Sequence, residues 1–396
     1  MSWTSVTEAK KSFRARPAAL AFSGGAVSIH GMSAQTHVPR SAWIFPLLAV
    51  LLFAATSLPG IGFSHSAGGY AFAAVLLVIL FGTVFAAVHH AEVIAHRVGE
   101  PYGTLVLTLS VTIIEVAMIA SIMFGEKAVP TLARDTVFAV VMIVCNGLIG
   151  WAILAGGVRF REQEFQVTGV KVYLCVLIVM STITLVLPNY TSTTPGPVFA
   201  SSQLIFIGIA TLLLYGLFVY TQTVLHRDYF IVESDDDGDD HAVASAKMLL
   251  ISVVLLLISL ASVVLLAKKF SLVVDAGAAA IGAPPAFAGV VVALLILMPE
   301  SVAALSAARK NDLQKSINLA LGSSLATIGL TVPVVAVTVY ILKETLVLGL
   351  DPRDMVLLAM TLLVSMMTFG TGRTNVLFGF VHLLIFAVYL FFVLVP

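Results

Sequence analysis

The stretch Leu294–Val335, LLILMPESVAALSAARKNDLQKSINLALGSSLATIGLTVPVV, holds one carboxylate, Glu300, inside a run that is otherwise apolar from Pro284 to Ser306. A charged hairpin follows at Arg309, Lys310 and Asp312, then a second apolar run with a hydroxyl pair, Ser323 and Ser324. An earlier stretch, Tyr102–Phe124 (YGTLVLTLSVTIIEVAMIASIMF), repeats the plan around Glu115, and the apolar run after it carries Asn146 and Gly147. Apolar runs of about 20 residues are the length of a helix that crosses a bilayer. Each glutamate is then a lone charge at membrane depth, in an all-helical, polytopic membrane protein.

Composition agrees. The chain has 396 residues, 59% apolar and only 11% charged, with a mean hydropathy of +1.05. Soluble domains carry nearer to about 25% charge. A formal net charge of zero gives no support for a nucleic-acid partner. Cys145 and Cys175 both sit inside apolar runs, which argues against a disulfide framework or a thiolate metal centre.

Outward from the two glutamate runs, apolar segments recur near 42–63, 70–89, 103–124, 136–158, 170–188, 202–223, 248–267, 284–306, 316–342, 354–370 and 375–395. Eleven transmembrane helices are expected. Residues 1–41 are basic and broken by Gly and Pro, too polar for a signal peptide, and read as a disordered cytoplasmic arm. Placing the amino terminus inside puts fifteen Lys and Arg on the cytoplasmic side and six on the other. That asymmetry predicts a periplasmic carboxyl terminus.

Residues 225–247 form an acidic linker between a first membrane region, 42–224, and a second, 248–396. Its acidic cluster is Glu233, Asp235, Asp236, Asp237, Asp239 and Asp240. They read either as a solvated joint or as a regulatory, cation-collecting segment. Runs two to six and seven to eleven make two sets of five. Because five is odd, similar sets enter the membrane in opposite senses, which is the inverted-repeat plan of many transporters. The first run is peripheral to both.

A carboxylate at the bilayer centre costs about 2.5–3.5 kcal/mol on insertion scales, so it is placed there for a purpose and faces a polar interior. Thr108, Thr112 and Glu115 fall at i, i+4 and i+7, on one helix face. Ser316, Ala320, Ser323, Thr327 and Thr331 align on the run after Glu300, and Asn146 with Gly150 on the run after Glu115. Glu115 and Glu300 are therefore the expected metal ligands, with Thr112, Asn146, Ser323 and Ser324 as secondary oxygen donors. Ca²⁺ takes 6–8 oxygens, of which two bidentate carboxylates supply about four. Nothing in the sequence gathers the Cys and His that zinc or copper would need. Emptied of metal, two neighbouring carboxylates in a low dielectric take up protons, and a site that holds either a cation or protons is the minimum equipment of an exchanger. His89, His90, Glu92, His96 and Glu100 cluster at the entrance to the third run and read either as a proton relay or, the preferred reading, as headgroup neighbours; His382 reads as a packing residue, and Asp275 lies in a short segment read as re-entrant, its role open.

Three segments carry a resemblance: EPYGTLVLTLSVTIIEV (100–116), MPESVAALSAARKNDLQKSINLALGSSLATIGLTVPVV (298–335) and GTGRTNVLFGFVHLL (370–384). From about Trp43 onward the chain resembles the bacterial calcium/proton antiporter branch of the cation/calcium exchanger superfamily. The resemblance implies an inner-membrane antiporter with one peripheral helix and two inverted five-helix repeats. It also implies that Glu115 and Glu300 are paired cation and proton ligands, and that Ser323 and Ser324 belong to the family's Gly-Ser-Ser segment. Many relatives carry Gly-Asn-Ala-Ala-Glu around each key glutamate; here VTIIE and ILMPE put Thr112 and Leu297 at the Asn positions, and Ala326 replaces a common glutamine. Fewer side-chain oxygens leave room for Na⁺ or K⁺.

The expectation is a secondary antiporter exporting Ca²⁺ in exchange for protons, with Na⁺(K⁺)/proton exchange as the alternative and a cation channel as the remote one. No enzymatic motif such as HExxH is present. The expected partners are the transported ions and the lipid bilayer, with no resident cofactor and no nucleic acid; a homo-oligomer stays open.

Overall fold

The computed structural model describes residues 39–56, 58, 62–99, 102–123, 130–230, 245–342 and 345–396. Most of the basic arm and the acids Glu233 to Asp240 lie outside the described residues.

Eleven membrane-type helices carry the described chain. They are α1 (Arg40–Ala55), α2 (Ala67–Val98), α3 (Tyr102–Met123), α4 (Leu132–Phe160), α5 (Val167–Tyr190), α6 (Ser201–Leu225), α7 (Ala246–Ala280), α8 (Ala286–Arg309), α9 (Leu313–Ile341), α10 (Pro352–Thr368) and α11 (Val376–Leu394). Eight of them, all except α1, α3 and α10, are long and apolar enough over their described residues to cross a membrane. Each expected run has its helix. The first half is α2–α6 and the second α7–α11. Their opening helices, α2 and α7, pack along each other and against α1, while α4 packs along α8. Gly289 of α8 permits that second contact, since a Cβ there would stand 2.9 Å from the backbone of Asp135 and Thr136 on α4.

Side-chain caps set several helix starts. Ser66, Ser245, Asp312 and Asn375 accept hydrogen bonds from the backbone N–H groups of Gly69, Met248, Lys315 and Leu377, replacing partners that a first turn lacks. A two-stranded antiparallel ribbon joins the halves, pairing β1 (Glu162–Glu164) with β2 (Arg373–Asn375). Gln163 is buried and donates to Ala308 O at 3.0 Å, which holds the ribbon against the α8–α9 hairpin.

Two expectations need correction. The segment around Asp275 is not re-entrant: α7 runs unbroken through Lys268, Lys269 and Asp275 to Ala280. The Ala-rich sequence GAAA sustains a helix, and the first proline is not reached until Pro284. Likewise α2 continues past residue 89 to Val98, so His89, His90, Glu92 and His96 ride on a helix. His90 is fully buried between helices, bonded to Ala42 O at 3.0 Å and Ser252 Oγ at 3.3 Å, and does not reach lipid headgroups. Glu100 lies outside the described residues.

Both third helices contain a π-turn, Ile143–Leu148 in α4 and Thr327–Thr331 in α9, and α5 and α6 contain others at Thr182–Val186 and Thr221–Leu225. A π-turn inserts one residue into the ladder. Every side chain beyond it is rotated by about 100° relative to an unbroken helix.

Candidate cation site

Glu115 comes from the middle of α3 and Glu300 from α8, immediately after Pro299. The proline has no N–H, so the carbonyl of Leu295 loses its regular helical partner at that point. Glu115 is 1% exposed. Its Oε2 accepts a hydrogen bond from the Thr327 hydroxyl of α9 at 3.0 Å, and its Oε1 is buried without a partner. Glu300 is partly buried, and its Oε2 is likewise enclosed and unpaired. Two buried acceptors with no donor are what a site for a cation or a proton leaves behind, because such groups are otherwise paired.

Both glutamates line one cavity of about 260 Å³, together with Thr108, Thr112, Ser323 and Thr327. Contributions come from α3, α8 and α9, hence from both halves of the chain. Tyr215 and Gln222 of α6 and Lys315 and Asn318 of α9 complete the polar lining.

The secondary donors separate. Thr112 and Ser323 line the cavity, although the Thr112 hydroxyl is already donated to Thr108 O at 2.9 Å. Ser324 is fully buried beside it, outside the lining, with an unpaired hydroxyl. Asn146 does not join the glutamates. Its amide donates to Thr361 Oγ1 of α10 at 2.9 Å and its carbonyl oxygen meets His382 Nδ1 of α11 at 3.1 Å. Gly150, on the same face, packs against Gly379 and Leu383 of α11. The π-turn at Ile143–Leu148 sets this phase, and the polar face expected to look inward is turned to α10 and α11. His382 is the middle of a chain, with Nε2 3.0 Å from Thr368 Oγ1. Leu297 also departs from expectation: it is 1% exposed and packed in the apolar core, while Ala326 does line the cavity.

Two larger spaces lead to the glutamates. One of about 490 Å³ is lined by His89, Glu92, Pro299 and Glu300. A vestibule of about 1100 Å³ lies against the α8–α9 hairpin and is lined by Glu92, His96, Lys310, Asp312 and Lys315. The three share Leu107 and Leu319, and the vestibule and inner cavity share Lys315. Access in this conformation is therefore from the hairpin side. At the other end of α9, Arg134 bonds Asp135 at 2.8 Å and Gly349 O at 3.1 Å, and Asp135 also accepts from Thr131 at 2.8 Å, binding the start of α4 to the 345–351 segment.

The sequence reading missed Tyr215, Gln222, Asn318 and Lys315. Lys315 had a signal, a cation in the first turn of a helix, where acids are preferred. The others sit on helices whose local sequence carries no such mark. Among the described residues no group of three or more His, Cys, Asp and Glu gathers, so the donor set consists of paired carboxylates and hydroxyls.

Comparison with known proteins accounts for this architecture. The family described as "Sodium/calcium exchanger protein" matches residues 68–224 and again 251–395. The two matches coincide with α2–α6 and α7–α11, one copy per half. The y4hA protein of Sinorhizobium fredii is 44% identical over 365 residues, covering 91% of this chain and 98% of its own. The sodium-potassium/proton antiporter ChaA of Escherichia coli is 38% identical over 364 residues, covering 90% and 96%. Among solved structures, native YfkE superposes with a TM-score of 0.67 at 18% identity, covering 90% of this chain and 100% of its own. The H⁺/Ca²⁺ exchanger CAX gives a TM-score of 0.60 at 15% identity, covering 88% of each chain. At those identities the likeness is one of fold. A repeated family match spanning ten of eleven helices, with full-length relatives above 30% identity, leaves no ambiguity: the chain belongs to the sodium/calcium exchanger family.

Proposed function

We propose that this exchanger is a secondary antiporter that moves a cation against protons through one alternating-access site built on Glu115 and Glu300. The observation that carries the reading is the enclosure of both carboxylates in one cavity contributed by both halves, each with an unpaired buried oxygen. A cation held by both glutamates displaces their protons, and protons displace the cation, so occupancy is mutually exclusive. That exclusion couples the two flows, and a channel would not require it. Thr112, Thr327 and Ser323 add oxygens, and water completes the shell of a hard cation.

The proposed direction is export. The excess of Lys and Arg places the hairpin side in the cytoplasm, so the vestibule is the inward entrance and the Arg134 cluster closes the periplasmic end. Two cargoes are supported. Paired carboxylates suit Ca²⁺, whereas the 38% identical relative is a sodium-potassium/proton antiporter and the absence of a Gln side chain at Ala326, on the cavity wall, favours an ion that tolerates fewer ligands.

The test is proton flux in inside-out vesicles with Ca²⁺, Na⁺ and K⁺ added in turn, for the unaltered protein and for Glu115→Gln and Glu300→Gln. Each substitution should abolish exchange of every cation at unchanged membrane abundance. Coupled flux persisting in either would falsify the shared site.

A further inference from the structure

We infer that Lys315 is a specificity-determining residue of this site, a tethered cation that biases it toward monovalent over divalent cargo. The inference rests on the reading of Glu115 and Glu300 as the shared site and adds the residue that sets its charge preference.

Lys315 lines both the vestibule and the inner cavity. Its side chain stands at their junction, so an ion arriving from the hairpin passes it before meeting the glutamates. Its position opposes its own helix. Lys315 is the third residue of α9, and Asp312 caps that helix by accepting from the Lys315 backbone N–H at 2.9 Å. This is the place where a capping box puts Glu or Gln, and where a positive charge works against the helix dipole. A residue that contradicts local stability is expected where function has selected it.

The charges decide the sign. Among the described residues lining the inner cavity, the charged ones are Glu115, Glu300 and Lys315. Within that lining alone, two ionised carboxylates and one ammonium sum to a fixed charge of minus one. A single Na⁺ or K⁺ cancels it, whereas Ca²⁺ overshoots to plus one. The vestibule adds Glu92, His96, Glu164, Lys310 and Asp312. Glu164 is paired with Arg373 at 2.8 Å, and Glu92 lies within electrostatic range of both Lys315 and Glu300. These acids gather cations at the mouth, divalent ones the more strongly, and Lys315 is the charge that opposes this bias on the way to the glutamates.

Coulomb repulsion is proportional to the charge of the arriving ion, so a divalent cation meets twice the repulsion at the same separation. Removing the ammonium multiplies divalent binding by the square of the factor gained by a monovalent ion. At the partial screening of a water-filled cavity that factor is roughly 3- to 10-fold, and the Ca²⁺ to Na⁺ ratio should shift by the same amount.

The experiment uses the full chain in inside-out vesicles, with proton flux driven by Ca²⁺ or Na⁺ in separate assays at matched pH. Lys315→Gln should raise the Ca²⁺ to Na⁺ rate ratio by about 3- to 10-fold, while Lys315→Arg should hold it at the unaltered value. Lys315→Met serves as a second neutral variant if Lys315→Gln accumulates poorly. An unchanged ratio in the neutral variants, or an equal shift in Lys315→Arg, overturns the role of Lys315. Glu115→Gln, run alongside, separates the two readings: silence in that variant with a flat ratio at position 315 sinks only the Lys315 inference, whereas surviving exchange removes the shared site and the charge count built on it.

Discussion

Thr327 donates its hydroxyl to Oε2 of Glu115 at 3.0 Å, a hydrogen bond that joins α9 of the second half to α3 of the first. The bond orients one carboxylate oxygen and leaves the other, Oε1, free for cargo. A hydrogen bond to an ionised group contributes about 1.5–3 kcal/mol.

Thr327→Val should therefore raise the cation concentration needed for half-maximal flux by roughly tenfold. Thr327→Ser, which keeps the oxygen, should restore it. Initial rates across a cation titration in vesicles check this, and an unshifted midpoint in the valine variant would mean that the hydroxyl does not serve the bound state.

Asn146 provides the opposite expectation. It bonds Thr361 and His382 within α4, α10 and α11, away from the glutamates. Asn146→Ala leaves both partners buried and under-satisfied, which should cost about 1–3 kcal/mol of stability. The preference among Ca²⁺, Na⁺ and K⁺ should not move. Thermal unfolding in detergent, with flux ratios on the same preparation, separates a packing role from a ligand role.

Leu297 stands where many relatives carry an asparagine, yet it is packed in the apolar core. Leu297→Asn should bury an amide without partners, at a cost of about 1–3 kcal/mol, and should not favour Ca²⁺. Ala326→Gln places an amide at the cavity wall and should raise the Ca²⁺ to Na⁺ ratio. Equal shifts from both substitutions would contradict the different surroundings of these positions.

The acids from Glu233 to Asp240 lie outside the described residues, and their charge density alone motivates an expectation. Neutralising them should raise the apparent cation concentration required and preserve the maximal rate, because a charged mouth concentrates ions without touching chemistry. Loss of the maximal rate in a well-inserted variant would place the linker inside the transport machinery.

Much of the architecture was legible in the sequence because hydropathy reports spans directly. Glu115 and Glu300 stood out for the same reason, as lone charges in apolar runs. The phase of the partner helices was not legible. Asn146 and Gly150 share a face, but nothing in IVCNGL announces the π-turn that turns it toward α11. The end of α7 was hidden for a related reason: Lys268 and Lys269 resemble a loop boundary, while the helix continues past them for about three further turns to Ala280. Tyr215, Gln222 and Asn318 reach the cavity through tertiary packing alone.

The cavity's divided ownership bears on how such a protein could be made in pieces. Glu115 with Thr112 belongs to one half, Glu300 with Ser323 and Thr327 to the other. A half-length polypeptide would carry one carboxylate and lack the donors that complete it. It would gain a working site only by meeting a second copy inserted the other way up, an encounter limited by the abundance of both orientations. Joining the halves through the 225–247 linker makes that meeting intramolecular, at an effective concentration fixed by linker length. Fusion also lets the two copies diverge, so that Lys315 can sit on one side of the site without a mirrored lysine on the other.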